Sequence, residues 1–466
     1  MVRKVVYRIM TKTTSHLTMN STISNKIIVE NYNKALLAYC ENNLILDNPD
    51  YFVAQKMGRW TGNIEKKLYL YERIANQIHI PFGELNNIWE IIKYKPYEVD
   101  FAPFKALQMK GNVNLYGYQE KAVERLKLFK GGVLEAPCGS GKTQVGIALI
   151  KAVGQKALWL THTKDLLIQS KKRAEQYFDG DFGTITNGKV DIGEDITFAT
   201  VQTMTKLDLQ KYAKEWNVVI VDECHRAAGT PTKVMQFYRV LSNLKARHKY
   251  GLSATLDRVD GLLKSTFSLL GNIVHSIAPE EVGDKIMKAE HQMIVTDLND
   301  SEKYLETDGT FNYIKLIDYI INNQDRNVQI VNQIYKEPDH HHLVLTHRVE
   351  HIRTLHHMLH SIGIDALMIN GRISKGEREH ILDHMREGKN KVLLATYHLA
   401  KEGLDIPILD RLHLATPNKN RAVVKQSAGR IQRSVDGKSK PIIYDYVDVN
   451  INYCLGMYKK RKSILK

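Results

Sequence analysis

The run Ala136-Pro-Cys-Gly-Ser-Gly-Lys-Thr143 joins a short apolar stretch, GVLE, to the amphipathic stretch TQVGIALIKAV. Glycines at this spacing let backbone amides converge on an anion, and a helix starting at the loop adds partial positive charge there. In such a loop Lys142 reaches the β- and γ-phosphates of a nucleotide and Thr143 ligates Mg²⁺. Ala136, Pro137, Cys138, Gly139, Ser140, Gly141, Lys142 and Thr143 are therefore candidate contacts to ATP. Alanine stands where the usual pattern has its first glycine, and the strand-like and helix-like flanks disfavour a mere glycine-rich turn.

Further along, the apolar run Val218 to Val221 leads directly into Asp222-Glu-Cys-His225. Two carboxylates then emerge at the C-terminal end of a buried strand, the edge where open α/β sheets place their ligands. Asp222 would hold Mg²⁺, with Thr143 as its second protein ligand, and Glu223 would orient or deprotonate an attacking water. Acid pairs end many strands, so it is the upstream loop that gives this pair a role. Lys142, Asp222 and Glu223 are the first catalytic candidates.

These residues need a scaffold that brings two loops together. Short apolar runs such as VVIV, LVL at Leu343 to Leu345 and VLLA at Val392 to Ala395 alternate with helical stretches such as Thr143 to Val153 and Val349 to His360. Consecutive apolar positions suit strands buried on both faces, and the alternation predicts doubly wound parallel sheets. The pattern occurs twice, predicting an ATP-binding lobe over 109–285 and a second lobe over 286–466. Residues 1–108 read as a small accessory domain with a possible role in binding DNA.

Composition is ordinary for a globular chain, with 43% hydrophobic and 25% charged residues, which excludes disorder over most of its length. The net charge of +15 attracts a polyanion such as nucleic acid, or serves solubility alone. Four scattered cysteines give neither a zinc pattern nor a disulfide framework. With no signal core and no run of about 18 apolar residues, the expected location is the cytoplasm.

The ordered set of motifs resembles superfamily 2 helicases of the DEAD/DEAH-like type over about residues 112 to 448. The resemblance implies two RecA-like lobes. It gives Gln119, in LYGYQ, an amide that reads adenine while a nearby tyrosine stacks. It makes THTKDLL and TVQT backbone contacts to nucleic acid, through Thr161, Thr163, Lys164, Thr200, Gln202 and Thr203. Ser253-Ala254-Thr255 and His225 then couple hydrolysis to strand movement. In the second lobe LTHRVEH and ATYHLAKEGLDIP appear in family order, implying nucleic-acid contacts at Thr346, His347, Arg348 and Thr396 and nucleotide contacts at Gly403 and Asp405. Gln426-Ser-Ala-Gly-Arg430-Ile-Gln-Arg433 completes the set, with Gln426, Arg430 and Arg433 as catalytic candidates. Arginine is always charged and presents a rigid fork, so Arg430 and Arg433 could reach the γ-phosphate across a cleft.

The box ends in Cys-His, unlike the Ala-Asp of RNA-remodelling DEAD-box proteins. Tyr250 to Gly261, YGLSATLDRVDG, resembles the GLSAT-x-x-R-x-D-G element of XPB-like and phage UvsW-type DNA helicases, with Leu256 in place of a frequent proline. In the N-terminal part Lys56, Arg59, Trp60, Lys66 and Lys67 either meet nucleic acid, or Trp60 and Tyr69 form that domain's own core. Histidines from His340 to His360 lack the partners of a metal site and read as surface and groove residues. The basic tail Tyr458 to Lys466 reads as a solvated end or a phosphate contact. The implied activity is ATP-driven unwinding or remodelling of duplex or branched DNA in recombination, repair or replication. An RNA helicase with the same chemistry is the alternative, and a scaffold with a degenerate ATPase a third.

Overall fold

The computed structural model describes residues 18–466 except Asp257, Val259, Asn299, Asp300, Arg372, Glu402, Gly403 and Lys466. The expected contact at Gly403 therefore lies outside the described residues. The N-terminal strands are β1 (Asn20–Ile23), β2 (Lys26–Glu30), β3 (Ile45–Asp47), β4 (Lys67–Tyr69), β5 (Glu72–Ile74), β6 (Gln77–Pro81) and β7 (Tyr97–Val99), with burial alternating along β1, β2, β4 and β6. They form a sheet of order β5-β6-β2-β1-β7 and a separate antiparallel β3-β4 pair. Ile27 and Val29 of β2 and Ile78 and Ile80 of β6 face one side, against Leu36, Cys40, Ile88 and Ile92 of the two covering helices.

The next strands are β8 (Lys110–Gly111), β9 (Gly131–Glu135), β10 (Ala157–Thr161), β11 (Phe178–Asp179), β12 (Phe182–Thr186), β13 (Lys189–Asp191), β14 (Ile196–Thr200), β15 (Val218–Asp222), β16 (His248–Ser253) and β17 (Ile273–Ser276). Eight of them make a sheet of order β13-β12-β14-β10-β15-β16-β9-β17, in which only β13 runs antiparallel to its neighbour. All five residues of β10, β14 and β15 are buried, as strands covered by helices on both faces must be. The last sheet contains β18 (Glu290–Thr296), β19 (His342–Thr346), β20 (Ala366–Ile369), β21 (Val392–Thr396), β22 (Arg411–Leu414) and β23 (Ile442–Asp448), all parallel, in the order β18-β23-β22-β19-β21-β20. The chain thus carries two RecA-like α/β lobes behind the smaller N-terminal sheet.

The N-terminal region is fastened to the first lobe. The buried carboxylate of Glu84 accepts from Tyr39 Oη at 2.5 Å, Asn87 Nδ2 at 2.8 Å and Ser268 Oγ at 2.6 Å. Asp100 pairs with Lys214 at 2.6 Å and Lys245 at 2.5 Å. Leu68 packs on Ala228 and Leu262. Among the described residues no helix is long and apolar enough to cross a membrane.

Two readings of the sequence are corrected here. Arg461 of the basic tail is neither solvated nor free for phosphate. It lies buried in the helix Asn452–Leu465 and grips Asp445 with two 2.7 Å bonds, because its long apolar stem lets the helix dock on β23. Of the clustered histidines, His357 and His360 are at the surface, but His342 and His351 are core residues. His342 bonds His413 at 2.9 Å, and His351 bonds Thr346 at 2.8 Å and Asn327 at 2.8 Å.

Candidate active site

The loop from Ala136 to Thr143 leaves the C-terminal end of β9 and enters the helix Lys142–Val153. Gly139 and Gly141 take φ values of +84° and +78°, a conformation that turns successive amides toward one side and that side chains resist. A β-carbon on Gly141 would run into the amide groups of Gln119 and Gln144. The Ala136 amide donates to Ser253 O at 2.9 Å, so the loop is tied to the end of β16. Lys142 Nζ donates to Ala136 O at 3.2 Å and Pro137 O at 3.3 Å, folding its charge over the loop. The Gln119 side chain is almost fully buried, donating to Ser140 O at 2.8 Å and accepting from the Tyr116 amide at 3.0 Å. Its amide braces the loop. Tyr116 beside it is half exposed, stacked on Tyr118 and 5.1 Å from Lys285 Nζ.

Asp222 ends β15 and Glu223 follows with φ +50°, a left-handed conformation that costs a side-chain-bearing residue energy and concentrates at working sites. Burial, and then the charge of Glu223, push the Asp222 carboxyl up, with Lys142 only partly offsetting them. Burial raises Glu223 as well, but His225, Lys142 and Arg430 outweigh it and hold that carboxylate down. Glu223 Oε2 is buried and lies 3.2 Å from His225 Nδ1. The buried Asp222 carboxyl beside the Glu223 carboxylate, with the half-buried Thr143 hydroxyl, offers the oxygen donors that a hard divalent cation takes.

A polar chain runs from this box to the next strand end. Ser253 Oγ donates to Thr255 O at 2.6 Å, so it accepts from His225 Nδ1 at 3.0 Å, which places the imidazole proton on Nδ1. Ala254 is buried between them in sequence. Arg258 donates to the His225 carbonyl and grips Asp260 through two bonds of 2.9 and 2.6 Å. Residue reasoning gave Arg258 and Asp260 no role, although the R-x-D spacing was visible.

The second lobe meets the loop through the helix Arg421–Ile431. A β-carbon on Gly429 would collide with Cys138, so the helix touches the phosphate loop at the one residue type that permits it. Arg430 donates to Leu404 O at 3.0 Å and its charge is felt at Glu223. Arg433 pairs with Asp405, and its stem reaches the Gly139 side of the loop. Gln426 is buried on the same helix. The structure therefore brings together Ala136 to Thr143, Asp222, Glu223, His225, Asp405, Arg430 and Arg433.

The expected nucleic-acid contacts divide. Thr161, Thr200, Thr203 and Thr346 are buried, and the Thr161, Thr200 and Thr346 hydroxyls bond Thr163 O, Thr203 Oγ1 and His351 Nδ1 respectively. Thr163 caps the helix Lys164–Tyr177, whose first residue, Lys164, is partly exposed. Gln202 is exposed and donates to His162 O at 2.7 Å. Arg348 pairs with Asp318, His347 bonds Thr416, and Thr396 is half-buried. Residue types alone did not single out His162, buried between Thr161 and Thr163 with neither ring nitrogen hydrogen-bonded among the described residues. Burial, and then Arg226, push its imidazole down to about 3.

Residues 112–258 match the family model described as type III restriction enzyme, res subunit, and residues 325–435 match the helicase conserved C-terminal domain. The chain is 27% identical over 319 residues to a protein of Escherichia phage T5 named probable helicase D10, covering 68% of this chain and 67% of that one. It is 27% identical over 398 residues to an Acanthamoeba polyphaga mimivirus protein named as an ATP-dependent RNA helicase, covering 82% and 73%. With the DNA 3'-5' translocase XPB2 of Sulfurisphaera tokodaii it shares 26% identity over 375 residues, covering 72% and 82%. Among solved structures, a fragment described as an HsdR subunit of a type I restriction enzyme from Vibrio vulnificus YJ016 superposes with a TM-score of 0.56 at 18% identity, covering 74% and 66%.

Proposed function

We infer that this chain, an ATP-dependent helicase of superfamily 2, is a DNA helicase or translocase that couples closure of its two lobes on ATP to movement along a DNA strand. The observation that carries this reading is the contact of Gly429 with Cys138, which sets Arg430 and Arg433 of one lobe beside the phosphate loop of the other. The loop amides and Lys142 bind the phosphates. Glu223, held as a carboxylate, orients the attacking water, and the arginines balance charge developing on the γ-phosphate. Thr143 and Asp222 would hold Mg²⁺, which supplies charge neutralisation at the phosphates.

Coupling follows from the bonding. A change in Glu223 reaches His225, then Ser253 and Thr255, while Arg258 holds the His225 backbone to the element that follows. Lys164, Gln202, Arg348 and Thr396 are the proposed strand contacts that reach the surface. Contacts aimed at phosphates track a backbone with little sequence preference. Support for DNA comes from the Cys-His ending of the box, the GLSATLDRVDG run and the relative named as a DNA translocase. The mimivirus relative supports the second reading, an RNA helicase of the same chemistry.

The test is ATP turnover measured with single-stranded, duplex, forked and four-way DNA and with matched RNAs. Stimulation by DNA, lost in Lys142→Ala, is the expected result. Stimulation by RNA alone would replace the substrate.

A further inference from the structure

Between the helix Pro49–Lys56 and β4 lies the segment KMGRWTGNIEKK, which takes no part in the nucleotide cleft. Four cations, Lys56, Arg59, Lys66 and Lys67, stand there against one carboxylate, Glu65. Lys67 pairs with Asp47 at 2.7 Å, but among the described residues Lys56, Arg59 and Lys66 have no carboxylate partner. The segment is shaped rather than loose. The buried Asn48 donates to Glu65 O at 2.7 Å and its amide to Lys66 O at 3.0 Å. The Arg59 amide donates to Ala54 O at 2.9 Å.

Trp60 is 74% exposed and yet held. Its indole lies against Gly62, where a β-carbon would collide with the ring. Tyr69, at 42%, is exposed as well, so neither ring belongs to the domain's core. Met57 and Val53 extend the apolar surface beside unpaired cations. A backed aromatic ring among cations suits a polyanion that offers flat apolar faces, which describes an unpaired nucleic-acid strand. Bases inside a duplex have their faces covered. A protein partner is the poorer fit, since the centres of protein interfaces are depleted of lysine.

The same segment is bolted to the motor. Lys233 pairs with Asp50 at 2.6 Å, and Leu68 sits on Ala228 and Leu262, which follow the Asp222 box and the Arg258–Asp260 clamp. We propose that Trp60 forms a stacking platform for an unpaired base of single-stranded DNA, with Lys56, Arg59 and Lys66 on the flanking phosphates. The choice of DNA rests on the function proposed above.

The experiment uses the full chain with labelled oligo(dT), a blunt duplex and oligo(U). Trp60→Ala is expected to weaken oligo(dT) binding roughly 10- to 100-fold, with Trp60→Phe retaining most affinity and ATP turnover without DNA unchanged. Replacing Lys56, Arg59 and Lys66 by alanine should lower the slope of log affinity against log salt by about 2. Wild-type affinity in Trp60→Ala for whichever strand the protein binds would overturn the platform. So would a change of oligomeric state on sedimentation with strand affinity intact, since the patch would then hold a second copy. Binding of oligo(U) but not oligo(dT) by the wild type would overturn the DNA assignment separately.

Discussion

The two lobes use one strand order for different ends. Reading from one side, β14-β10-β15-β16-β9 in the first lobe and β21-β19-β22-β23-β18 in the second occupy matching places. The phosphate loop leaves β9, whereas the matching strand β18 is a half-exposed edge followed by no glycine loop. The interiors differ as well. The first lobe is filled largely by apolar side chains such as Trp159, Ile220, Val221 and Leu252, with Asp222 at the cleft end of its sheet and Lys156, Asp195 and Lys249 buried at the opposite strand ends. The second buries a polar lattice. Arg326 bonds Asp448 at 3.2 Å and Ala415 O at 2.5 Å, Arg461 grips Asp445, and His342, His413 and Tyr446 form a chain. One lobe thus holds reacting groups on a largely apolar base, while the other uses buried ion pairs to fix the helices Gln324–Tyr335 and Asn452–Leu465 on β23.

The sharpest way to break this division of labour is Arg430→Ala. If the second lobe supplies charge that the first lacks, kcat for ATP should fall roughly 10³-fold or more while nucleotide binding persists. A change under tenfold would mean that the first lobe works alone.

Next in size is the buried lattice. Arg326→Ala leaves the Asp448 carboxylate buried and unpaired, and should cost the second lobe about 3–5 kcal/mol. All four tryptophans, Trp60, Trp89, Trp159 and Trp216, lie before residue 217, so their fluorescence follows the N-terminal region and first lobe only. Calorimetry should show an early transition that tryptophan emission does not see. Coincident transitions by both probes would mean that the lobes melt as one.

Acid should separate the lobes more gently. Burial lowers His342 and His347 to about 4, His351 to about 3 and His413 well below its usual value, all in the second lobe. Their folded pKa values lie below the unfolded value of 6.5. The unfolded chain therefore takes up protons first, and stability falls as pH drops from about 6.5 toward 4, by up to about 1.4 kcal/mol per pH unit for each histidine. In the first lobe His162 and His248 act in the same sense, but Asp222, raised by burial, binds its proton in the folded state and opposes them. Melting curves between pH 7 and 5 should show the second lobe losing stability faster. Parallel losses would contradict the contrast.

Much of the site was legible because its signals are local. The loop, the acid pair and the paired arginines are short strings whose residue types suit phosphate, cation and developing charge, and alternating apolar runs imply the parallel sheets that end beneath them. Other features depended on partners far away in sequence. Nothing near Arg461 announces Asp445, and nothing near Cys138 announces Gly429. Trp60 reads equally as core or surface until the packing is seen, and nothing near Gln119 announces that its amide braces the loop at Ser140. Residue type and period act over a few positions and so are fixed by the sequence itself. Which polar groups are buried, and what they meet, depends on which faces of distant elements come together, and that only the tertiary structure decides.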